Sequence, residues 1–215
     1  MEKIIIIGAG GFGREVVWLI ERINMSVKKW DILGYIDEDK EIKGKDLDGY
    51  PVLGGLDIIK SHEDAYYVCA IGSAKNRESM VNRIASISCR IRYATLIDPS
   101  VILSDKVRIG RGTIICAGTI LTVDIDIKSH VIINLDCTIG HDVVIDDFVT
   151  LYPSINVSGH VTLSKCAEIG TGTQIIQGKQ IGAGTIVGAG SVVIKDLPDE
   201  CTALGVPAKP IKFHE

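Results

Sequence analysis

The chain has 215 residues and a formal net charge of −4, and 46% of its residues are hydrophobic but only 5% aromatic. A chain of this length forms one large domain or two small ones. Its charges are mixed and include no long run of Lys or Arg, which argues against nucleic acid or an anionic membrane surface as the main partner.

The six cysteines are not arranged as C-x-x-C pairs. This spacing disfavours both a zinc site and a disulfide framework, so free thiols and a cytoplasmic location are expected. The apolar run at residues 4–7 is too short for a signal-peptide core. No run of 18 apolar residues occurs, which predicts a chain without a membrane span.

The first 90 residues alternate apolar runs of strand character with segments of helical periodicity. The predicted order is a strand running into a glycine turn, a helix, a second strand, a loop with a short strand, a third strand and a second helix. These segments are residues 4–13, 14–23, 31–39, 48–55, 66–72 and 74–84. The β-α-β-β-α order predicts a small Rossmann-like domain with a parallel sheet over residues 1–90.

The first predicted strand leads into a glycine-rich loop. Gly8, Gly10 and Gly13 fit G-x-G-x-x-G, and N–H groups at the start of a helix can bind a phosphate. Asp37 ends the second strand, where a ribose hydroxyl would lie. The short domain fits a mononucleotide better than a dinucleotide. In the alternative interpretation, the glycines only allow the strand and helix to pack closely.

From residue 97 to residue 193 the chain follows a six-residue repeat. Seventeen positions at this spacing are all Ile, Leu or Val, and the positions four further along from each are nearly all small or β-branched, with Lys179 as the misfit. A period of six is typical of a hexapeptide solenoid. We therefore predict a left-handed parallel β-helix over residues 91–215, with three hexapeptides in each 18-residue coil. The fold class is α/β plus all-β, and oligomerisation is expected because one chain buries limited apolar surface.

The glycine loop and the hexapeptide repeat together resemble the NeuD/PglD-type family of sugar O- and N-acetyltransferases. This family includes sialic acid O-acetyltransferases and bacterial nucleotide-4-aminosugar N-acetyltransferases. The resemblance covers essentially the whole chain. It is carried by GAGGFGREV at 8–16, GYIDED at 34–39, AIGSAKNR at 70–77, IGHD at 139–142, EIGTGTQIIQG at 168–178, VGAGSVVIKDLP at 187–198 and GVPAKPIK at 205–212.

The resemblance implies a homotrimer whose N-terminal domain binds a nucleotide-linked sugar. Acetyl-CoA is the implied co-substrate, no metal is expected, and the implied active site lies between neighbouring β-helices. His141 is the implied general base and Asp142 the acid beside it. The implied sugar-nucleotide contacts are Gly10, Gly11, Phe12, Asp37, Glu38 and Gly72, and the implied acetyl-CoA contacts are Thr150, Thr171 and Ala189.

Two positions depart from the family pattern. The glycine loop of many relatives reads GGHG, but Phe12 replaces the histidine here. Some relatives have a second histidine nine positions after the base, where this chain has Thr150. Both departures concern the details of substrate and CoA contacts rather than the reaction class.

Acetyl transfer from a thioester needs a base, a donor for the oxyanion and a hold on CoA. His is the natural base near pH 7, and a carboxylate beside it raises its basicity and fixes its tautomer. Gly159 follows His141 by one full coil, so its N–H is a candidate oxyanion donor. Lys209 follows the last coil, where CoA phosphates could pass. In the alternative interpretations, His141 is a solvated turn histidine, Gly159 is an ordinary bend glycine and Lys209 is a solvated tail lysine.

Three other functions are alternatives to N-acetyl transfer. O-acetylation of a sialic-type sugar would use the same groups, and the predicted nucleotide pocket favours the amine. A non-catalytic nucleotide-sugar binding module would bind nucleotide without releasing CoA. A γ-type carbonic anhydrase would need a close histidine pair. Because His130, His141 and His160 are widely spaced along the chain, no such pair is expected, and His130 and His160 are expected at the surface.

Overall fold

A computed structural model describes residues 1–214 of the chain. These residues form two compact units. The first comprises residues 1–72 and 76–99, and the second comprises residues 73–75 and the chain from Ser100 onward. The functional division at residue 90 remains a prediction. No helix within residues 1–214 is both long and apolar enough to cross a bilayer.

The first unit contains a six-stranded sheet in the order β3-β4-β2-β1-β5-β6. Its pairings are parallel except for β3 with β4. The central strand β1 buries four consecutive isoleucines, which explains the apolar run near the start of the sequence. The elements are β1 (Glu2–Ile7), α1 (Gly11–Ser26), β2 (Trp30–Ile36), β3 (Asp46–Leu47), β4 (Tyr50–Gly54), a 3-10 helix (Leu56–Ser61), β5 (Tyr66–Cys69), α2 (Ala74–Ile87) and β6 (Arg92–Tyr93). The predicted Rossmann-like domain is confirmed.

Helix α1 begins earlier than the sequence pattern predicts. The glycine turn was expected to continue through Gly13, but Gly10 is the N-cap and Gly13 lies inside the helix. A Cβ on Gly13 would lie 2.1 Å from the Gly8 carbonyl oxygen, and Gly8 has φ of +101°. Gly8 and Gly13 are therefore glycines because the strand and the helix approach closely at this turn.

The hexapeptide repeat forms a parallel β-helix, as predicted. Every repeat contributes one short strand, and each strand from β8 to β20 pairs in parallel with the equivalent strand of the next coil. The strands β7 to β23 are 96–97, 102–103, 108–109, 114–115, 120–121, 126–127, 132–133, 138–139, 144–145, 150–151, 156–157, 162–163, 168–169, 174–175, 180–181, 186–187 and 192–193.

Three sheets make up the sides of the β-helix in the second unit. The first contains β25-β24-β22-β19-β16-β13-β10, the second β23-β20-β17-β14-β11-β8 and the third β21-β18-β15-β12-β9. The antiparallel hairpin of β24 (Cys201–Gly205) and β25 (Ala208–Phe213) follows the last coil. Leu103 is 39% exposed, because its strand β8 is the last strand of its sheet and has no neighbour on one side.

The small residues four positions after each repeat position complete the interior, and their hydroxyl groups are hydrogen-bonded. The hydroxyl of Thr113 donates to the Lys128 carbonyl at 3.0 Å, and the hydroxyl of Thr119 donates to the Asn134 carbonyl at 3.1 Å. In both bonds, the acceptor carbonyl lies near the bend of the same edge in the next coil. Hydroxyls therefore fit this interior because each finds a carbonyl partner.

The coils turn at three edges, and each edge carries a column of residues with positive φ that repeats once per coil. Edge A contains Asp124, Asp142, His160 and Gly178; edge B contains Gly112, His130, Phe148, Cys166 and Gly184; edge C contains Gly118, Asp136, Ser154, Gly172 and Gly190. Non-glycine residues rarely adopt this conformation, and Asp and His are among those that tolerate it best.

His130 is buried rather than exposed, so the expectation of a surface histidine is wrong at this position. Only 3% of the residue is accessible. Its ring stacks on Phe148 of the next coil, with centroids 5.2 Å apart and an interplanar angle of 4°. The coil register places the two rings in one column of edge B, where each covers the other.

Candidate active site

His141 and Asp142 form a hydrogen-bonded pair on edge A. Nδ1 of His141 lies 2.8 Å from Oδ2 of Asp142. Adjacent residues on a strand would point apart, but these two lie on a bend, where Asp142 has φ of +59°. The bend turns the Asp142 carboxylate back toward the preceding ring, which resolves the orientation that the sequence left open.

The hydrogen bond sets the tautomer of His141. A carboxylate only accepts, so Nδ1 carries the proton and donates it to Asp142, and Nε2 is left as an acceptor. The two side chains are 55% and 47% exposed, so a substrate can reach the ring. This is the arrangement that a general base requires.

Gly159 lies directly beside the His141 ring, in the register that counting one coil along the sequence predicts. A Cβ on Gly159 would be 2.5 Å from both Nε2 and Cε1 of His141. The absence of a side chain at this position therefore leaves the space that the imidazole occupies. The Gly159 carbonyl accepts a hydrogen bond from the Gly178 N–H at 2.9 Å, which ties this bend to the next coil.

His160 forms a close pair with His141, so the expectation that no close histidine pair exists is wrong. Their ring centroids are 4.9 Å apart at an interplanar angle of 87°. His160 Nε2 lies 3.8 Å from Asp142 Oδ2. The two histidines are distant along the chain, but their separation equals one full coil plus a single position. His160 is exposed, as expected, with 65% of its side chain accessible.

The residues implied as acetyl-CoA contacts do not surround His141 within one chain. Thr171 and Ala189 are both exposed and stack one coil apart on the bends of edge C. Thr150 lies in β16 and is only 1% exposed, whereas Lys209 lies exposed in β25. Edges A and C border the same sheet and lie roughly 15–20 Å apart, the length of one strand and its bends.

The glycine loop of the first unit divides into packing glycines and open glycines. A Cβ on Gly10, Gly11 or Gly72 would meet no atom within 4 Å, unlike one on Gly8 or Gly13. Gly11 and Phe12 lie in the first turn of α1, where N–H groups lack helical acceptors. The close-packing interpretation therefore accounts for Gly8 and Gly13, and the ligand interpretation accounts for the open positions.

Asp37 organises this loop through its own carboxylate. Oδ2 accepts the Ala9 N–H at 2.8 Å, and Oδ1 accepts the Asp39 N–H at 3.0 Å. Glu38 beside it is in an ion pair with Arg83, with Oε2 2.7 Å from Nη1. This hydrogen bond lowers the pKa of Glu38 from its usual value, with burial opposing it. Both acids at this end of the sheet therefore already have hydrogen-bond partners.

Two cavities lie at the carboxyl ends of the strands, where ligands of open α/β sheets bind. One of about 390 Å³ is lined by Asp37, Glu38 and Leu56 among others, and one of about 160 Å³ shares these three residues and adds Ile71 and Met80. A larger cavity of about 560 Å³ lies at the other end of β2. It lies away from the glycine loop, whereas the smallest of the three cavities is lined by Gly8 and adjoins the 390 Å³ cavity at Asp37, Glu38 and Leu56, so the two smaller cavities are the candidate nucleotide site.

Sequence reasoning missed Arg77, which lies in the quoted segment AIGSAKNR. Arg77 is fully buried, and its Nη1 donates to the carbonyls of Ile71 at 2.7 Å and Gly72 at 3.0 Å. A charged group buried without partners is costly, so this guanidinium is held by the loop that it positions. In the sequence, Arg77 lies in the first turn of a predicted helix that follows a strand, and this position alone does not indicate burial.

The comparisons with known proteins extend over the whole chain. The profile of the PglD N-terminal domain family matches residues 3–84. No curated protein sequence matches significantly. Many solved structures also resemble the chain. WeeI from Acinetobacter baumannii AYE is 32% identical, with a TM-score of 0.87 over 98% of this chain and 100% of that one.

Two other similar structures contain ligands. The acetyltransferase domain of PglB from Neisseria gonorrhoeae FA1090, in complex with acetyl coenzyme A, is 29% identical, with a TM-score of 0.87 over 98% of this chain and 99% of that one. A point mutant of perosamine N-acetyltransferase from Caulobacter crescentus, in complex with CoA and GDP-perosamine, is 29% identical. Its TM-score is 0.89 over 99% of this chain and 98% of that one. With these likenesses along its whole length and the domain profile, the chain belongs to the NeuD/PglD-type family of hexapeptide-repeat sugar acetyltransferases.

Proposed function

We propose that the protein transfers an acetyl group from acetyl-CoA to the amino group of a nucleotide-linked aminosugar, such as a 4-aminosugar. The observation that carries this proposal is the His141–Asp142 pair, with Nδ1 2.8 Å from Oδ2 and with Nε2 left as an acceptor. The relatives that bind acetyl coenzyme A, or CoA with GDP-perosamine, support the same reaction. No metal takes part in the proposed chemistry.

The reaction follows from the groups on edge A. The sugar amine attacks the thioester carbonyl, so a C–N bond forms, and His141 Nε2 accepts the proton that the amine loses. Collapse of the tetrahedral intermediate breaks the C–S bond and expels the CoA thiolate. The imidazolium returns its proton to the leaving sulfur. Asp142 keeps the ring in one tautomer and stabilises its charged form, as a carboxylate does in other base pairs of this kind.

Gly159 serves this reaction in two ways in our proposal. Its lack of a side chain accommodates the His141 ring, since a Cβ would lie 2.5 Å from Nε2. Its backbone N–H belongs to the same bend of edge A and is the proposed donor to the oxyanion. A preorganised N–H of this kind is worth about 10²–10³ in turnover.

The first unit is the proposed binding site for the nucleotide. Gly10, Gly11 and Phe12 lie at the start of α1, where N–H groups bind phosphate. The candidate nucleotide cavities, lined by Asp37, Glu38 and Leu56, lie at the carboxyl ends of β1 and β2. Gly72 follows β5 at the same end of the sheet, and its α-carbon faces open space. A mononucleotide with a sugar attached fits this arrangement of one phosphate loop and one acidic strand end.

A homotrimer would unite the separated site residues. Thr171 and Ala189 lie on edge C, whereas His141 and Gly159 lie on edge A. If edge A of one subunit lies against edge C of the next, acetyl-CoA between them meets the base and these two residues together. Lys209 is the proposed contact for the CoA phosphates. Thr150 is 1% exposed in the single chain, so a role in CoA binding would require the site to open around it.

The experiment that tests the proposal measures CoA thiol release from acetyl-CoA with a panel of UDP-, dTDP- and GDP-linked aminosugars and free sialic acid. We expect turnover with one of the nucleotide-linked amines. Turnover with sialic acid alone would replace the amine by a hydroxyl acceptor and identify an O-acetyltransferase. Nucleotide-sugar binding without any thiol release would identify a non-catalytic binding module and refute the proposed reaction.

A further inference from the structure

Edge A gathers three side chains that can each ligate a metal ion. His141 Nδ1 lies 2.8 Å from Asp142 Oδ2, and His160 Nε2 lies 3.8 Å from the same oxygen. One ligand atom from each of the three residues lies within 4.8 Å of the other two. Two imidazoles and one carboxylate are a donor set that Zn²⁺ uses in proteins with an open fourth position.

Two of the donor separations are close to those that a metal ion requires. Zn–N and Zn–O bonds of about 2.0–2.2 Å at tetrahedral angles place the donor atoms about 3.3 Å apart. The observed separations of 2.8 and 3.8 Å bracket this value. The side chains of His141, Asp142 and His160 are 55%, 47% and 65% exposed. They can therefore rotate to close around an ion, and an ion can reach them from solvent.

We propose that His141, Asp142 and His160 form an inhibitory site for a first-row divalent transition metal, with Zn²⁺ as the preferred ion. The ion takes His141 Nδ1 and Asp142 Oδ2, which otherwise share one proton, and that proton passes through solvent to Nε2, because a neutral imidazole bound through Nδ1 carries its proton there. The hydrogen bond that aligns the His141 ring is lost, and Nε2, now protonated, can no longer accept the proton of the amine. The ion is therefore an inhibitor and not a cofactor. Hard ions such as Mg²⁺ prefer oxygen ligands and do not suit this site.

Binding is tested on the full-length protein after removal of metal with a chelator. Isothermal titration with ZnCl₂ should show one site per chain, and titration with MgCl₂ should show none. His160→Asn should weaken zinc binding by at least about 10-fold, since even outer partners of metal ligands are worth that much. Asparagine tolerates the positive φ of +59° at this position, so the bend is retained. Absence of zinc binding, or equal affinity in His160→Asn, would overturn the site.

Two matched controls separate this site from other soft ligands of the chain. His62→Asn removes a histidine from the first unit, and Cys89→Ser removes the exposed thiol. Neither change should alter the affinity for Zn²⁺. If either variant reproduces the loss seen with His160→Asn, zinc binds elsewhere and the assignment to edge A is wrong.

The inhibitory part of the proposal rests on the proposed function, whereas metal binding does not. Acetylated sugar should be quantified by chromatography, because the CoA thiol itself binds zinc. Zn²⁺ should abolish product formation, EDTA should restore it, and His160→Asn should need at least about 10-fold more Zn²⁺ for half inhibition. Zinc binding without acetyl transfer under any condition would refute only the proposed function. Acetyl transfer that persists with the site occupied would refute only the inhibition.

Discussion

Replacing Gly159 by alanine displaces the His141 ring, the proposed base, without changing it chemically. The new Cβ would lie 2.5 Å from His141 Nε2 and Cε1, whereas unstrained contacts begin at about 3.5 Å. The ring must therefore move by about 1 Å. The His141 side chain is 55% exposed, so it can swing toward solvent and the coil can keep its fold. The backbone of Gly159 is not in the positive-φ region, so alanine adds no backbone strain.

The displacement predicts a loss of about 10²-fold in turnover, since a misplacement of about 1 Å at a reacting group costs about that much. The assay is steady-state product formation by Gly159→Ala, His141→Ala and the double variant, with the melting temperature as a control for folding. If the alanine acts by moving the ring, it should add little in the His141→Ala background. Wild-type turnover in Gly159→Ala, or losses that multiply in the double variant, would refute the reasoning.

Three further predictions concern the base, the thiols and the buried guanidinium. His141→Ala should lower turnover by about 10²–10⁴ with an unchanged circular dichroism spectrum, and near wild-type turnover would exclude it as the base. An aromatic disulfide reagent at pH 8 should modify one of six thiols in the native protein and none in Cys89→Ser, because the other five are buried. Burial also raises the pKa of the Cys69 thiol to about 12 and that of the Cys137 thiol to about 11. Rapid reaction of a second thiol would contradict this prediction. Arg77→Met should lower the free energy of unfolding by about 1–3 kcal/mol in urea titration, because two loop carbonyls lose a charged donor, and unchanged stability would show that solvent replaces it.

The hexapeptide repeat made most of the β-helix predictable. Each hexapeptide contains its own strand and its own bend, so the register follows from counting. The same counting placed Gly159 beside His141, one full coil away, as the structure confirms. The glycine loop was also recognisable, but the start of α1 was not. Gly11 and Gly13 are predicted as turn residues, but Gly10 is the N-cap and both lie inside the helix.

The contacts of the site were less predictable where they depart from the repeat. His160 meets His141 one position beyond a full coil, and distance along the chain alone made the two histidines appear remote. Asp142 reaches back to the His141 ring because its bend adopts a positive φ, which residue type alone does not specify. His130 and His160 occupy equivalent bend positions on different edges, but His130 stacks on Phe148 and is buried.

The sequence by itself determined the coil length, the strand positions and the residues that share a column, because a solenoid repeats one local conformation. The tertiary structure alone decided which side chains meet across a bend and which face solvent. The direction of a side chain depends on the backbone at its bend and on the size of its neighbours one coil away. His141 is aligned by Asp142 and accommodated by Gly159 for this reason.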